Sequence, residues 1–266
     1  MSKPLDGKWA LVTGSAHNLG FVIATELAEA GASVIVHGMQ APHDAAVRIA
    51  DAVPGAATLA LGFDLSDPAA VIEAFEGLAA RGITPHILVN NAAHLGITDV
   101  PAIDQQADLF REVLEVNVFG TYQCSMLAAR AMAANEGGSI VNISSLAGQR
   151  AIHDRLAYNT SKAAIDGMTR SMAIDFAAAG VRVNAIAPGY VWSDRWEGID
   201  DDEAVRRRAR IPAGVETTQR EIASFVAYLV SGRTTTLTGE VIAIDGGLAA
   251  QQTPRETVSV ATVLAP

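Results

Sequence analysis

Short apolar runs alternate with longer, alanine-rich stretches of helical period along this chain, and that alternation constrains its fold more than any other feature. Strands are expected at residues 9–13, 33–37, 58–63, 87–90, 139–143, 181–186 and 241–244. Several of these runs are apolar throughout instead of alternating, as strands buried on both faces of a parallel sheet require. Helices are expected at 19–30, 43–52, 68–81, 105–134, 156–179 and 221–229. The repeated strand-helix-strand order predicts an α/β fold: a doubly wound, mostly parallel seven-stranded sheet with helices on both faces, Rossmann-like. Residues 188–215 form the long irregular stretch, and no repeat or change of composition divides the 266 residues. One domain over 1–266 is the expectation.

Composition narrows the function classes. Nineteen basic against 29 acidic residues give a net charge of −10, which argues against a nucleic-acid surface. No run of about 18 apolar residues predicts a membrane span, and the first residues carry no apolar signal segment. The single cysteine, Cys124, excludes an intrachain disulfide and reads as a small core residue. Together these features predict a cytoplasmic protein with no membrane or nucleic-acid partner and no metal site. Asp200-Asp201-Asp202-Glu203 followed by Arg206-Arg207-Arg208 and Arg210 reads as a solvated helix, with an anionic substrate as the alternative use of the arginines.

In sheets of this type ligands bind beyond the carboxyl ends of the strands. The residues there are Thr13-Gly14, His37-Gly38, Asp64, Asn90-Asn91, Ser144-Ser145 and Pro188-Gly189, and all six sets fall on one rim. The first turn, Thr13-Gly14-Ser15-Ala16-His17-Asn18-Leu19-Gly20, leaves a strand and opens a helix, the context in which a glycine-rich turn binds a dinucleotide pyrophosphate. Gly14 would permit the tight turn and Gly20 the close packing of the helix. A purely structural turn is the competing explanation.

Tyr158 stands four residues before Lys162 in a helical stretch, so the two side chains share a face. A lysine ammonium beside a phenol favours the phenolate and lowers its pKa from about 10. Such a phenol can protonate a carbonyl oxygen or deprotonate an alcohol near neutral pH. Ser145, following the fifth strand at the rim, could hydrogen-bond the same substrate oxygen. Asn117 is a polar side chain inside an apolar helical run, either functional or a satisfied buried amide.

From about residue 7 to 248 the chain resembles the short-chain dehydrogenase/reductase family, in its shorter branch, particularly members like the 3-oxoacyl-carrier-protein reductases. The motifs are Thr13-Gly14…Leu19-Gly20, Asp64, Asn90-Asn91-Ala92-Ala93, Asn117, Ser144-Ser145, Tyr158…Lys162, Asn184 to Gly189, and Thr238-Gly239…Asp245-Gly246-Gly247. The resemblance implies a nicotinamide-dependent oxidoreductase acting on a ketone or secondary alcohol. It makes Tyr158 the general acid/base, Ser145 the holder of the reacting oxygen, and Lys162 a ligand of the nicotinamide ribose. Asn117 would place a water in a proton relay ending at Lys162. Gly14, Ser15, His17, Asn18 and Leu19 would meet the cofactor at the first turn. Asp64 and Leu65 would meet its adenine, Asn91 the adjoining ribose and Val191 the carboxamide. Asn18 replaces the family's middle glycine, Ala93 the glycine after Asn-Asn-Ala, and Ser193 a threonine; Asn tolerates positive φ, so the turn should survive.

Cofactor preference hangs on the end of the second strand. Gly38 stands where NAD-preferring members carry an acid for the ribose 2′-hydroxyl. Met39 and His17 stand where NADP-preferring members carry a cation, and His17 and His37 are weak, pH-dependent partners for a phosphate. The missing acid tips the balance slightly to NADP(H) over NAD(H). Substrate choice is expected in a lid at 190–215, where Trp192 and Trp196 would wall an aromatic or alicyclic ketone, with His94 and His153 as further lining candidates. A non-catalytic nicotinamide-binding regulator is the rival reading, and a sugar epimerase or dehydratase a third. The family implies a homotetramer built through the helices at 105–134 and 156–179. A C-terminal extension, 249–266, runs past the family's usual end.

Overall fold

The computed structural model describes residues 3–98, 100–192 and 199–252. Its elements run β1 (Trp9–Val12), α1 (Asn18–Glu29), β2 (Ser33–Gly38), α2 (His43–Ala52), β3 (Thr58–Gly62), α3 (Pro68–Ala80) and β4 (Pro85–Asn90). After them come α4 (Ala107–Leu114), α5 (Thr121–Ala133), β5 (Gly138–Ile143), α6 (Leu156–Phe176), β6 (Val181–Pro188), α7 (Asp201–Ala209), α8 (Gln219–Val230) and β7 (Val241–Ile244). The strands make one seven-stranded sheet in the order β3-β2-β1-β4-β5-β6-β7, every neighbouring pair parallel.

Alternation along the central strands divides the core. Val12, Val34 and Val36 face α1, α2 and α8 through Ile23, Leu27, Ile49, Ile222 and Val226. Leu11, Ile35 and Leu88 face α3, α5 and α6 through Val71, Cys124 and Met172. Each such side chain taken from water contributes about 1.5–3 kcal/mol, and that burial on both faces is why the strands read as unbroken apolar runs. Cys124 is fully buried here, and burial pushes its thiol up to about 12. Among the described residues no helix is long and apolar enough to cross a membrane.

Strand order reverses where β1 lies between β2 and β4, and a crevice opens there beyond the strand ends. Thr13 fastens that point: its hydroxyl oxygen accepts the amides of Asn91 at 3.0 Å and Ala92 at 3.1 Å.

Two expectations are corrected. The stretch 105–134 is not one helix. A 3₁₀ turn, Ala102–Asp104, precedes α4, and a π-helical turn, Glu115–Gly120, separates α4 from α5. The widened turn has a local cause, since Asn117 within it is bonded to the chain after β4 and Gly120 presses on Leu65, whose carbonyl oxygen would lie 2.8 Å from an added Cβ. Nor is 188–215 irregular throughout, because it contains α7. Asp200 caps that helix by accepting the Asp202 amide, and arginines fill its last turn, both matching the helix dipole.

Candidate active site

A cavity of about 790 Å³ runs along the carboxyl rim of the sheet. Gly14, His37, Gly38, Asp64, Asn91, Ser144, Ser145, Pro188 and Gly189 all line it, so every one of the six strand-end sets contributes. One half lies beyond β2 and β3, at Met39 and Asp64; the other lies beyond β5 and β6, at Ser145 and Tyr190.

The first turn forms the floor between the halves. Gly14 has φ +63, and a Cβ there would lie 2.9 Å from the Ala92 Cα, so the turn needs both the left-handed conformation and the missing side chain. Gly20 is tighter still, because a Cβ would come 2.2 Å from the Gly14 carbonyl oxygen and 2.5 Å from the Asn91 amide nitrogen. Gly20 therefore admits the turn and Asn91, not the sheet as such. Asn91 donates from that amide to the Thr13 and Gly14 carbonyls, both at 3.0 Å. Asn18 takes φ 49, the left-handed value its side chain tolerates. No side chain caps α1, and its first turn carries no acid. Its N-terminal amides and dipole thus face the cavity at Asn18, Leu19 and Gly20, a cradle suited to an anion.

Ser15 is not at the cavity surface. Its buried hydroxyl donates to the Val12 carbonyl at 2.7 Å and accepts the His37 amide at 2.9 Å. His37 is likewise a pin and not a phosphate partner. Its Nδ1 accepts the Gly14 amide at 3.0 Å and its Nε2 meets the Phe63 carbonyl at 3.1 Å. Burial lowers its pKa from 6.5 to about 4, which favours the neutral ring, in keeping with the weak, pH-dependent partner expected there. His17 and Met39 do line the cavity, with Met39 75% exposed.

The half beyond β5 is built by β5 and α6. Tyr158 and Lys162 rise from successive turns of α6, and both line the cavity with Ser145. Lys162 is buried; its ammonium donates to the Ile143 carbonyl at 2.8 Å and lies 5.6 Å from the centre of the Tyr158 ring. Burial lowers its pKa from 10.5 to about 8, partly opposed by Asp166 one turn on. The adjacent serines divide. Ser144 donates a short hydrogen bond to Asp166, whose carboxyl is pushed up by burial. Ser145 accepts the Ala147 amide at 3.1 Å and has its own O–H to donate.

Asn117 lies behind the cavity wall. Its amide accepts from the His94 N–H at 2.7 Å and donates to the His94 carbonyl and the Ser161 hydroxyl, both at 2.9 Å. It clamps the chain after β4 to α6, one residue before Lys162. Leu65, Val191 and His94 line the cavity, whereas His153 does not. Trp192 is half-exposed beneath the Arg208 guanidinium. Trp196, Ser193 and residues 253–266 lie outside the described residues. Sequence reasoning missed Gln219, which also lines the cavity; Ile199 and Arg207 line it too, and lie within the 190–215 stretch expected to set substrate choice, Arg207 being one of the arginines given an anionic substrate as its alternative use.

Residues 14–249 match the family model described as enoyl-(acyl carrier protein) reductase. The chain is 34% identical over 244 residues to the 3-oxoacyl-(acyl-carrier-protein) reductase of Salmonella typhimurium, covering 91% of this chain and 98% of that protein. It is 34% identical to the cis-4-hydroxycyclohexanecarboxylate dehydrogenase of Sinomonas cyclohexanicum, covering 91% and 96%. The crystal structure of a gluconate 5-dehydrogenase from Burkholderia cenocepacia, in complex with NADP and tartrate, superposes with a TM-score of 0.86 at 30% identity, covering 94% of this chain and 98% of that one.

Proposed function

Because this chain belongs to the short-chain dehydrogenase/reductase family, and is a nicotinamide-dependent oxidoreductase of ketones and secondary alcohols, we propose that Tyr158 is its general acid and base. The observation that carries this reading is the convergence of Tyr158, Lys162 and Ser145 on one cavity whose floor is the uncapped N-terminus of α1. When bound, the nicotinamide ring supplies the hydride for reduction or takes it up in oxidation.

The chain's own residues handle the oxygen and its proton. Ser145 donates a hydrogen bond to the substrate oxygen and so orients the carbonyl. Tyr158 gives that oxygen its phenolic proton as the new C–H bond forms, leaving the secondary alcohol; oxidation runs the same transfer backwards. Lys162 keeps positive charge behind the ring and so eases loss of the proton. Asn117 acts as a positioning residue that holds the His94 segment against α6. The α1 amides receive a pyrophosphate, with Asp64 and Leu65 beside the adenine end and Val191 at the nicotinamide end.

NADP(H) is slightly favoured over NAD(H). Its support is the absence of an acid at Gly38 and the NADP held by the gluconate 5-dehydrogenase. An alicyclic or aromatic substrate is supported by Leu95, Tyr190 and Ile199 in the lining and by the name of the Sinomonas relative. A cytoplasmic homotetramer formed through α4, α5 and α6 completes the reading, and no observation favours the non-catalytic alternative. The test is absorbance at the reduced-nicotinamide band with NADPH and NADH against a panel of ketones. Turnover with at least one cofactor is expected; none with either would overturn the assignment.

A further inference from the structure

We propose that Asp166 is a positioning residue of this oxidoreductase: it is the buried counter-charge of Lys162 and, through Ser144, the anchor of the turn that carries Ser145. The inference rests on Tyr158, Lys162 and Ser145 as the groups that handle the substrate oxygen. Side chains four apart share one face of a helix, and on α6 that face reads Tyr158, Lys162, Asp166, Arg170. The stripe begins at the cavity with Tyr158, runs through buried Lys162 and Asp166, and ends at exposed Arg170. One carboxylate thus stands between two cations, and its place is inside the protein.

A buried carboxylate is costly unless its oxygens are bonded and its charge is met. Asp245 meets that need within its own turn, accepting the amides of Gly247 at 2.8 Å and Ala249 at 2.6 Å, and Glu216 meets it with Arg208. Asp166 meets it across the fold. Ser144, just past β5, donates a short hydrogen bond to it, and the Ser144 amide is itself held by the Ile186 carbonyl at 2.8 Å. Lys162 crosses the same joint in the other direction, its ammonium donating from α6 to the Ile143 carbonyl at 2.8 Å. Gly148 closes the joint, since a Cβ there would lie 2.8 Å from the Lys162 carbonyl carbon. These contacts set where the end of β5 lies against α6, and Ser145 and Tyr158, which both line the cavity, take their relative position from that joint.

The charges that act on Asp166 are those of its own stripe, Lys162 and Arg170. Among the described residues the elements packed on α6 bring no rival. Arg182 of β6 is turned to the carbonyls of Leu229 at 2.8 Å and Leu237 at 3.4 Å. On α4 Arg111 pairs with Asp108 in solvent, and Glu112, Glu115 and Arg130 are exposed. The carboxylate therefore favours the protonated amine at Lys162 against the burial that opposes it. It acts through Lys162 and Ser144 and does not touch the substrate.

The test is the alkaline limb of kcat for ketone reduction, which reports the first proton lost from the coupled Tyr158 and Lys162 pair. Cyclohexanone and ethyl 3-oxobutanoate serve as ketones, with saturating NADPH or NADH. Asp166→Asn keeps an oxygen that accepts from Ser144 and loses the charge. Its limb is expected about one pH unit to the acid side of wild type, with kcat on the plateau within about 3-fold. Asp166→Glu should put the limb back. Ser144→Ala keeps the charge and cuts the anchor, so kcat should fall about 10-fold at every pH with the limb unmoved. Asp175→Asn removes an exposed carboxylate further along α6 and should shift nothing. Thermal melts at pH 7 read the charge pair without substrate: Asp166→Asn should cost stability in wild type, and less or none beside Lys162→Met. An unmoved limb in Asp166→Asn, or additive melts, would overturn the inference while leaving the oxidoreductase reading standing. Wild-type kcat in Ser144→Ala would strike the anchoring role, and an equal shift in Asp175→Asn would reduce the effect to net charge. Full turnover by Tyr158→Phe would instead strike the reading on which the inference rests; should neither ketone be a substrate, the melts decide alone.

Discussion

The Nδ1 of His37 accepts the Gly14 amide at 3.0 Å, so the last turn of β2 holds the glycine-rich turn that follows β1. The same residue's amide bonds the Ser15 hydroxyl, and its carbonyl accepts the Ser15 amide at 2.9 Å. A neutral imidazole that accepts at Nδ1 and donates from Nε2 to Phe63 satisfies all three chain segments at once. Protonation would place a second donor against the Gly14 amide.

Acid should therefore loosen the cofactor floor. His37 has its pKa lowered from 6.5 to about 4, so the unfolded chain binds more protons between those values. The stability it contributes is complete above about pH 6.5 and is lost as pH falls toward 4, with a slope of up to about 1.4 kcal/mol per unit. Urea midpoints from pH 4.5 to 7.5 should fall on the acid side in wild type and less steeply in His37→Gln, which can still accept and donate. His37→Phe should bind cofactor more weakly at every pH. An unchanged acid limb in His37→Gln would refute the role.

Tyr158→Phe keeps the ring and removes the proton. Turnover should drop about 10²- to 10⁴-fold, the usual reach of a placed acid or base, with cofactor affinity within a few-fold. Ser145→Ala should lower kcat less, because Tyr158 retains its proton. Full activity in Tyr158→Phe, measured in steady state with reduced cofactor, would remove the proposed acid.

Lys162 separates stability from chemistry. Its pKa is lowered from 10.5 to about 8 in the folded chain, so its charge opposes folding fully below pH 8. Between 8 and 10.5 the unfolded chain holds more protons, and stability from this group rises with pH. Lys162→Met should then be at least as stable as wild type at pH 7, with the difference shrinking toward pH 10.5, and should be nearly inactive. Thermal melts across pH 7–10 check the first statement. A Lys162→Met protein much less stable than wild type at pH 7 would show that the bond to Ile143 outweighs the buried charge.

The rim was legible in the sequence because a parallel strand stops where its apolar run stops, and the polar residue that follows must stand at the crevice. Thr13, Asp64, Asn91 and Ser145 could be placed on that logic alone. Arg207 could not. Three successive arginines look alike until the docking of Arg208 on Glu216 sets the rotation of α7. The pinning part played by His37 was hidden for a related reason, since its neighbours on the page are Val36 and Gly38 whereas its hydrogen bonds go to Gly14 and Phe63. The break in 105–134 was hidden because Asn117 is satisfied by His94 and Ser161, partners 23 and 44 residues away.

Cofactor choice can be tested at Met39, 75% exposed on the cavity wall just past β2. Gly38 is the less suitable position, because a Cβ there would lie 2.9 Å from the Gln40 carbonyl oxygen and strain the turn. Met39→Arg and Met39→Asp put opposite charges at one exposed point without that strain. A 2′-phosphate carries negative charge and a 2′-hydroxyl does not, so the two variants should move NADPH in opposite directions and NADH little in the case of arginine. With a charge-assisted contact of about 1.5–3 kcal/mol, Met39→Arg should lower the KM for NADPH by about 10-fold or more. Met39→Asp should raise the KM for NADPH and, by offering a carboxylate to the ribose hydroxyl, lower that for NADH. Raising the salt concentration should shrink the arginine effect, since the site is open to solvent. Parallel shifts for both cofactors in either variant would mean that residue 39 does not face the 2′ position.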